Sequence, residues 1–217
     1  ARKAGPLFYA RLAANLLSPL PYSVASFVSP ALRRAVREHE ERRPPDLWQF
    51  EWTPFLDLLR RPETARRVLM AHNVDALIWR RYHETERRPL RRWYVRGQWR
   101  KFERFERRMF PLADRVVTVS DEDAALARRL YGVENVEVVD NGVDAEFYAA
   151  AGRAGSVSDR SPTRVLFLGS LDWRPNLDAV RLLLDDIFPA VRAWTPQARL
   201  SIVGRRPPDW LRRPRPH

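Results

Sequence analysis

Cysteine is absent from the 217 residues. That excludes a disulfide framework, a cysteine zinc site and a thiol nucleophile, and it fits a reducing compartment. No HExxH motif or other His/Asp cluster stands at ligand spacing, so no protein-bound metal is expected. A nucleophile elbow of GxSxG type is missing, as are GxGxxG and Walker patterns. Long hydrophobic runs are missing too. Residues 12–32 carry no charge over 21 positions. Pro19, Pro21 and Pro30 break that stretch, and Asn15, Ser18, Ser23, Ser26 and Ser29 make it polar, so no membrane-spanning helix is expected. The N-terminal residues do not read as a secretory signal, and none is expected. Residue 1 is Ala rather than Met, and a processed or partial product is expected. No internal repeat has a fixed period.

What is present is basic and apolar together. The composition is 45% hydrophobic and 30% charged, with a net charge of +12. This is too apolar for a disordered chain, and it is enough for one large core or two small ones. The excess charge is concentrated: residues 87–108 hold ten Lys/Arg and two Glu, a local +8 that leaves +4 elsewhere. Such a run suits an anionic partner, whether nucleic acid, lipid headgroups or a phosphorylated substrate, or else a merely solvated helix face. Leu90, Trp93, Tyr94, Phe102, Phe105 and Met109 recur at three- and four-residue spacing, which predicts a buried stripe flanked by snorkelling arginines. Trp99 falls off that stripe and is expected to be an exposed contact.

Strand-like runs lie at Asp46–Phe50, Arg67–Ala71, Arg115–Val119 and Val136–Val139. The last two are valine-rich, as buried parallel strands are. Helical patterns lie between them, over Pro30–Glu41, over Leu90–Met109, and from a Ser120 cap to a Gly132 stop. Strand alternating with helix predicts an α/β domain with a parallel sheet. Polar residues follow every strand: Glu51, then His72 and Asn73, then Ser120, then Asp140, Asn141 and Gly142. In open parallel sheets that edge borders the ligand crevice. His72, beside Asn73 and near the strand carrying Glu51, is the strongest candidate for chemistry, and Glu51 is the second catalytic candidate. Ser120 reads as a helix cap rather than a nucleophile, and as a polar contact at the same edge.

Residues 149–163 are small and polar and read as a linker, separating an N-terminal domain (1–148) from the start of a second (164–217). The second opens with a strand, Arg164–Leu168, then a turn, Gly169–Asn176. A helix over Leu177–Trp194 and a strand over Ala198–Val203 complete one βαβ unit. A glycine directly after a strand, followed by a helix N-terminus, resembles a phosphate site, and Arg174 could add charge-assisted bonds to a diphosphate.

Several segments together resemble the group 1, family 4 retaining glycosyltransferases, nearest to those of bacterial exopolysaccharide clusters. They are Met70–Val74, Val117–Ser120, Asp140–Asp144 with Phe147, Phe167–Asn176 and Ile202–Arg205, and the resemblance covers most of residues 20–212. It implies a GT-B fold: two Rossmann-like domains facing across a cleft, the first binding the acceptor and the second a nucleotide-sugar. His72 matches the family's active-site histidine. Asn141 and Gly142 match the segment leading into the interdomain connection, and Gly169 and Ser170 the loop approaching the donor diphosphate. The implied reaction moves a sugar from a nucleoside diphosphate to a hydroxyl with retention, using no cofactor and no metal, in cell-surface polysaccharide or glycolipid synthesis.

Departures from the family pattern accompany the resemblance. Ser170 and Pro175 stand where many members carry basic residues, so Arg174 or Arg205 would supply the charge. The Glu-x7-Glu donor segment is expected beyond residue 217 and the first strand before residue 1, so the chain resembles a middle piece, inactive alone. A cytoplasmic setting is expected, and the charge of the Arg87–Arg108 helix with an exposed Trp99 suggests that this helix rests on the inner face of an anionic membrane that presents a lipid-linked acceptor. Two alternatives stand beside this reading. One is a nucleic-acid-binding protein, which leaves the polar strand ends unexplained; the other is a non-catalytic sugar-binding remnant.

Overall fold

The computed structural model describes residues 5–27, 29–59, 65–154 and 163–212. The chain divides into two compact units, residues 1–143 and 144–217.

The first unit is a parallel four-stranded sheet in the order β1-β2-β3-β4: Leu47–Phe50, Arg66–Ala71, Arg115–Thr118 and Val136–Val138. Phe50 pairs with Leu69, Ala71 with Thr118, and Thr118 with Val138, so all four C-terminal ends meet one edge. This is the α/β, Rossmann-like arrangement expected of a GT-B N-terminal domain. Helices α1 (Pro6–Leu16), α2 (Tyr22–Phe27) and α3 (Pro30–Arg42) precede the sheet. Helices α4 (Asp75–Thr85), α5 (Pro89–Met109) and α6 (Asp121–Tyr131) connect its strands. The core joins Phe50, Leu69, Ala71, Val116 and Val136 of the strands to Phe102, Phe105, Met109 and Phe110 at the end of α5. Each fully buried phenylalanine contributes about 1.5–3 kcal/mol.

Local chemistry explains the element ends. Ser29 caps α3 by accepting the Leu32 N–H, and Ser120 caps α6 by accepting the Asp123 N–H. Gly132 ends α6 in the left-handed region at φ 66°, which costs a glycine little. Prolines start α1, α3 and α5 at their first turn, where the missing N–H is not needed.

Helix α5 departs from the expected stripe. Leu90 is 83% exposed and Trp93 63%, while Trp99 is half-buried against the core and stacks on His83 at 5.8 Å. The exposed tryptophan of this helix is therefore Trp93. The buried face runs through Val95, Gln98, Lys101, Phe102, Phe105, Glu106 and Met109. The polar members have partners: Gln98 accepts the Tyr22 N–H at 2.8 Å and donates to Asn15 Oδ1 at 3.0 Å. Lys101 Nζ donates to the Asn15 carbonyl at 2.6 Å, placing a cation at the negative end of α1. A face chosen by hydrophobicity alone rotates away from these hydrogen-bonded residues.

In the second unit, β5 (Arg164–Leu168) and β6 (Arg199–Val203) pair in parallel. Helix α7 (Ala145–Ala154) precedes them, so the stretch expected to be linker begins as helix at Ala149–Ala154, and residues 155–162 lie outside those described. The crossover is not one helix. α8 (Arg174–Leu182) passes through a wider turn at Leu183–Ile187 into α9 (Phe188–Trp194), and a short α10 (Asp209–Arg212) follows β6. Helix α8 starts at Arg174, inside the expected turn, because Pro175 suits a first helical turn.

Candidate functional site

The C-terminal edge of the first sheet brings two of the candidate residues into contact. Glu51 directly follows β1 and His72 directly follows β2, its neighbour in the sheet. His72 Nε2 lies 3.1 Å from Glu51 Oε2. The Gln49 side-chain amide donates to the other Glu51 oxygen. These two hydrogen bonds, Gln49 first and His72 second, hold the Glu51 carboxyl below its ordinary pKa. Both side chains are exposed, so the pair is open to a ligand. Asn73 is exposed beside it.

A second link joins the same two loops. The Trp52 indole N–H donates to Asp75 Oδ2. Burial pushes the Asp75 carboxyl up to about 6, against the opposing pull of that bond. Behind Asp75 lies Glu106 of α5, fully buried, which sequence reasoning did not single out. Its carboxylate accepts the Asp75 N–H at 2.9 Å, the Ala76 N–H at 3.0 Å and the Tyr131 hydroxyl at 2.6 Å. Burial raises its pKa to about 8, and the nearby Asp75 adds to the rise while the three donors oppose it. The available signal was the absence of any side-chain cap on α4, whose N-cap residue is Val74.

The other candidates of this edge stand apart from the pair. Ser120 Oγ is engaged at the α6 N-terminus, accepting the Asp123 N–H at 3.2 Å. Asn141 and Gly142 lie exposed on the irregular segment that follows β4.

In the second unit, the β5–α8 loop and the segment after β6 are tied together. The Gly169 N–H donates to the Val203 carbonyl at 3.0 Å, and the Leu171 N–H to that of Arg205 at 3.0 Å. Arg205 Nε donates to Ser170 Oγ at 2.8 Å, and Asn176 Nδ2 to the Ser170 carbonyl at 3.0 Å. A Cβ on Gly204 would lie 1.8 Å from the Gly169 carbonyl oxygen, so only glycine allows this approach. Ser170 and Arg205 are thus brought together. Arg174, the first residue of α8, pairs instead with Asp178 at 3.3 Å. Asp172 sits in the same loop and takes Arg206 at 3.1 Å.

Comparison with protein families gives a match over residues 4–147 to the family described as Glycosyltransferase Family 4. No curated protein matches the chain.

Proposed function

Because the chain belongs to Glycosyltransferase Family 4, we propose that in full-length form it transfers a hexose from a nucleoside-diphosphate sugar to an acceptor hydroxyl with retention at the anomeric carbon. The observation that carries this reading is the His72–Glu51 pair at the C-terminal sheet edge, inside the family match. With Nε2–H donated to Glu51, the free Nδ1 accepts a hydrogen bond from a sugar hydroxyl. Glu51 fixes that ring orientation and supports positive charge on the ring as the glycosidic bond loosens. Asn73, Ser120, Asn141 and Gly142 are assigned to substrate contacts along the same edge. The Gly169–Ser170 loop, with Arg205 beside it and Arg174 at the α8 N-terminus, is assigned to the donor diphosphate. Arginine and helix-end N–H groups meet the leaving-group charge there, with no metal in the scheme.

The acceptor is proposed to be lipid-linked, presented at the inner face of an anionic membrane during cell-surface polysaccharide or glycolipid synthesis. Among the described residues no helix is long and apolar enough to cross a membrane. The first unit instead carries an exposed apolar and basic patch. A shallow recess joins Leu16 of α1 to Trp93, Arg96, Gly97 and Arg100 of α5. Leu17 beside it is 93% exposed. Aromatic and leucine side chains ringed by arginine suit insertion at a headgroup boundary.

Saturation-transfer NMR across uridine, guanosine and adenosine diphosphate sugars tests the donor. In the full-length form one nucleotide series should bind, with the signal lost in Arg205→Ala; equal silence across all three series there contradicts the proposal. The anomeric coupling of the product tests retention.

A further inference from the structure

We infer that Glu106 is a positioning residue for His72: it holds the β2–α4 loop from the core side, so that the imidazole meets Glu51 in one orientation. The inference rests on the functional reading of His72 given above.

Three residues, His72 to Val74, span the gap between β2 and α4. His72 and Asn73 are exposed, so packing does not fix their direction. The far end of the loop is fixed. Val74 and Ala76 are buried, and the N–H groups of Asp75 and Ala76 both end on Glu106. Tyr131, the last residue of α6, donates to the same carboxyl oxygen as the Ala76 N–H. A closed ring of links results. It runs from Asp75 through Trp52 to its chain neighbour Glu51, across to His72 and back along the chain to Asp75, and Glu106 anchors it at the Asp75 N–H.

A buried carboxyl group is an expensive way to fill a core position, because each of its polar atoms needs a partner there. An apolar side chain would fill the volume at lower cost, yet would leave two first-turn N–H groups of α4 unpaired. Glu106 does what a local capping residue ordinarily does, but from 30 residues away along the chain. A cap on α4 itself would join the loop only to its own helix. Glu106 joins it to α5 and, through Tyr131, to α6. That is the kind of support that keeps a reacting group within fractions of an ångström of its working position.

The test uses the full chain with Glu106→Gln, and with Tyr131→Phe as the milder variant should the first fail to fold. Gln offers one acceptor and turns an amide N–H₂ toward the other backbone donor. The readout is the ring resonances of His72 at fixed pH, with His39 and His83 as internal references and Glu51→Gln as the broken-pair control. The groups that titrate or carry charge around Glu106 are Asp75 of α4, Tyr131 of α6, and Glu103 and Arg107 of α5, the last two acting on Tyr131. All spectra are therefore taken at one pH where the references do not move.

The His72 signals of Glu106→Gln are expected to shift to where Glu51→Gln puts them, and those of Tyr131→Phe part of the way, with cooperative melting retained. In a turnover assay of the full-length form kcat falls about tenfold to a hundredfold while the donor KM holds. Unmoved His72 resonances in a folded Glu106→Gln protein overturn the inference and leave Glu106 a purely stabilising group. If His72→Ala keeps full turnover, the catalytic reading fails instead, whatever the resonances show.

Discussion

Lys101 Nζ lies 2.6 Å from the backbone carbonyl oxygen of Asn15, a residue 86 positions earlier in the chain. This contact seats the C-terminal end of α1 on the buried face of α5. Burial lowers the lysine pKa, with Arg104 adding to the effect. Lys101→Met leaves that helix end without its cation and should cost about 1–3 kcal/mol. Chemical denaturation checks the size. Faster amide exchange in α1, with the sheet still protected, checks the place.

Stability of the first unit should fall as pH rises from about 4 to about 8. Glu106 titrates at about 8 in the folded chain against an ordinary 4.5, and Asp75 at about 6 against 3.8. Between those values the unfolded chain has released protons that the folded one still holds, so stability declines with rising pH. The Glu106 contribution is fully present below about 4.5 and is lost by about 8. At about 1.4 kcal/mol per pH unit, a few kcal/mol separate the two ends. Denaturation midpoints of wild type and Glu106→Gln, taken at pH 5 and pH 8, check this. The wild-type decline should exceed that of the variant.

Trp93 and Trp99 should separate membrane contact from folding. Trp93→Ser removes an exposed ring and should leave the melting temperature in place, while binding to vesicles rich in anionic phospholipid drops at least about tenfold. Trp99→Ser should destabilise the chain, by about 2 kcal/mol or more, through the lost packing against the core and His83. Co-sedimentation with anionic and with zwitterionic vesicles reads the first effect. Equal binding to both vesicle types, or a preference for duplex DNA with a steep salt dependence, would count against the membrane surface.

Gly204→Ala should disrupt the donor-side loop. The new methyl would meet the Gly169 carbonyl oxygen at 1.8 Å, so one of the two segments must move. Backbone amide shifts at Gly169, Ser170 and Leu171 should change together, because the bonds from Gly169 to Val203 and from Leu171 to Arg205 are strained at once. Nucleotide-sugar binding should weaken with them.

The sheet and its working edge could be read in the sequence because their signals are local. Valine runs marked β3 and β4, and Ser120 and Gly132 marked the ends of α6. The position of His72 straight after a strand marked the edge. The prolines of residues 12–32 were read as breakers of one long segment. In the structure Pro30 sits in the first turn of α3 and Pro21 directly before α2. What escaped was set by distant partners. Gln98, Lys101 and Glu106 stand on an arginine-rich helix, where charge suggests a solvated face. Their burial follows from Asn15, Asp75 and Tyr131, which lie 83, 31 and 25 residues from Gln98, Glu106 and Glu106 respectively. Glu51 and His72, 21 residues apart, were both candidates because each follows a strand, but their hydrogen bond needed the sheet register.

The most direct test of the account is the rate of nucleoside diphosphate release from a nucleotide-sugar panel with a lipid-extract acceptor, comparing wild type with His72→Ala. The pair is exposed, so the substitution should leave the melting temperature unchanged. Measured on the full-length form of the enzyme, the account predicts acceptor-dependent release in wild type and a loss of at least about a hundredfold in the variant. Equal rates in the two proteins would contradict it and take the chemistry away from this sheet edge.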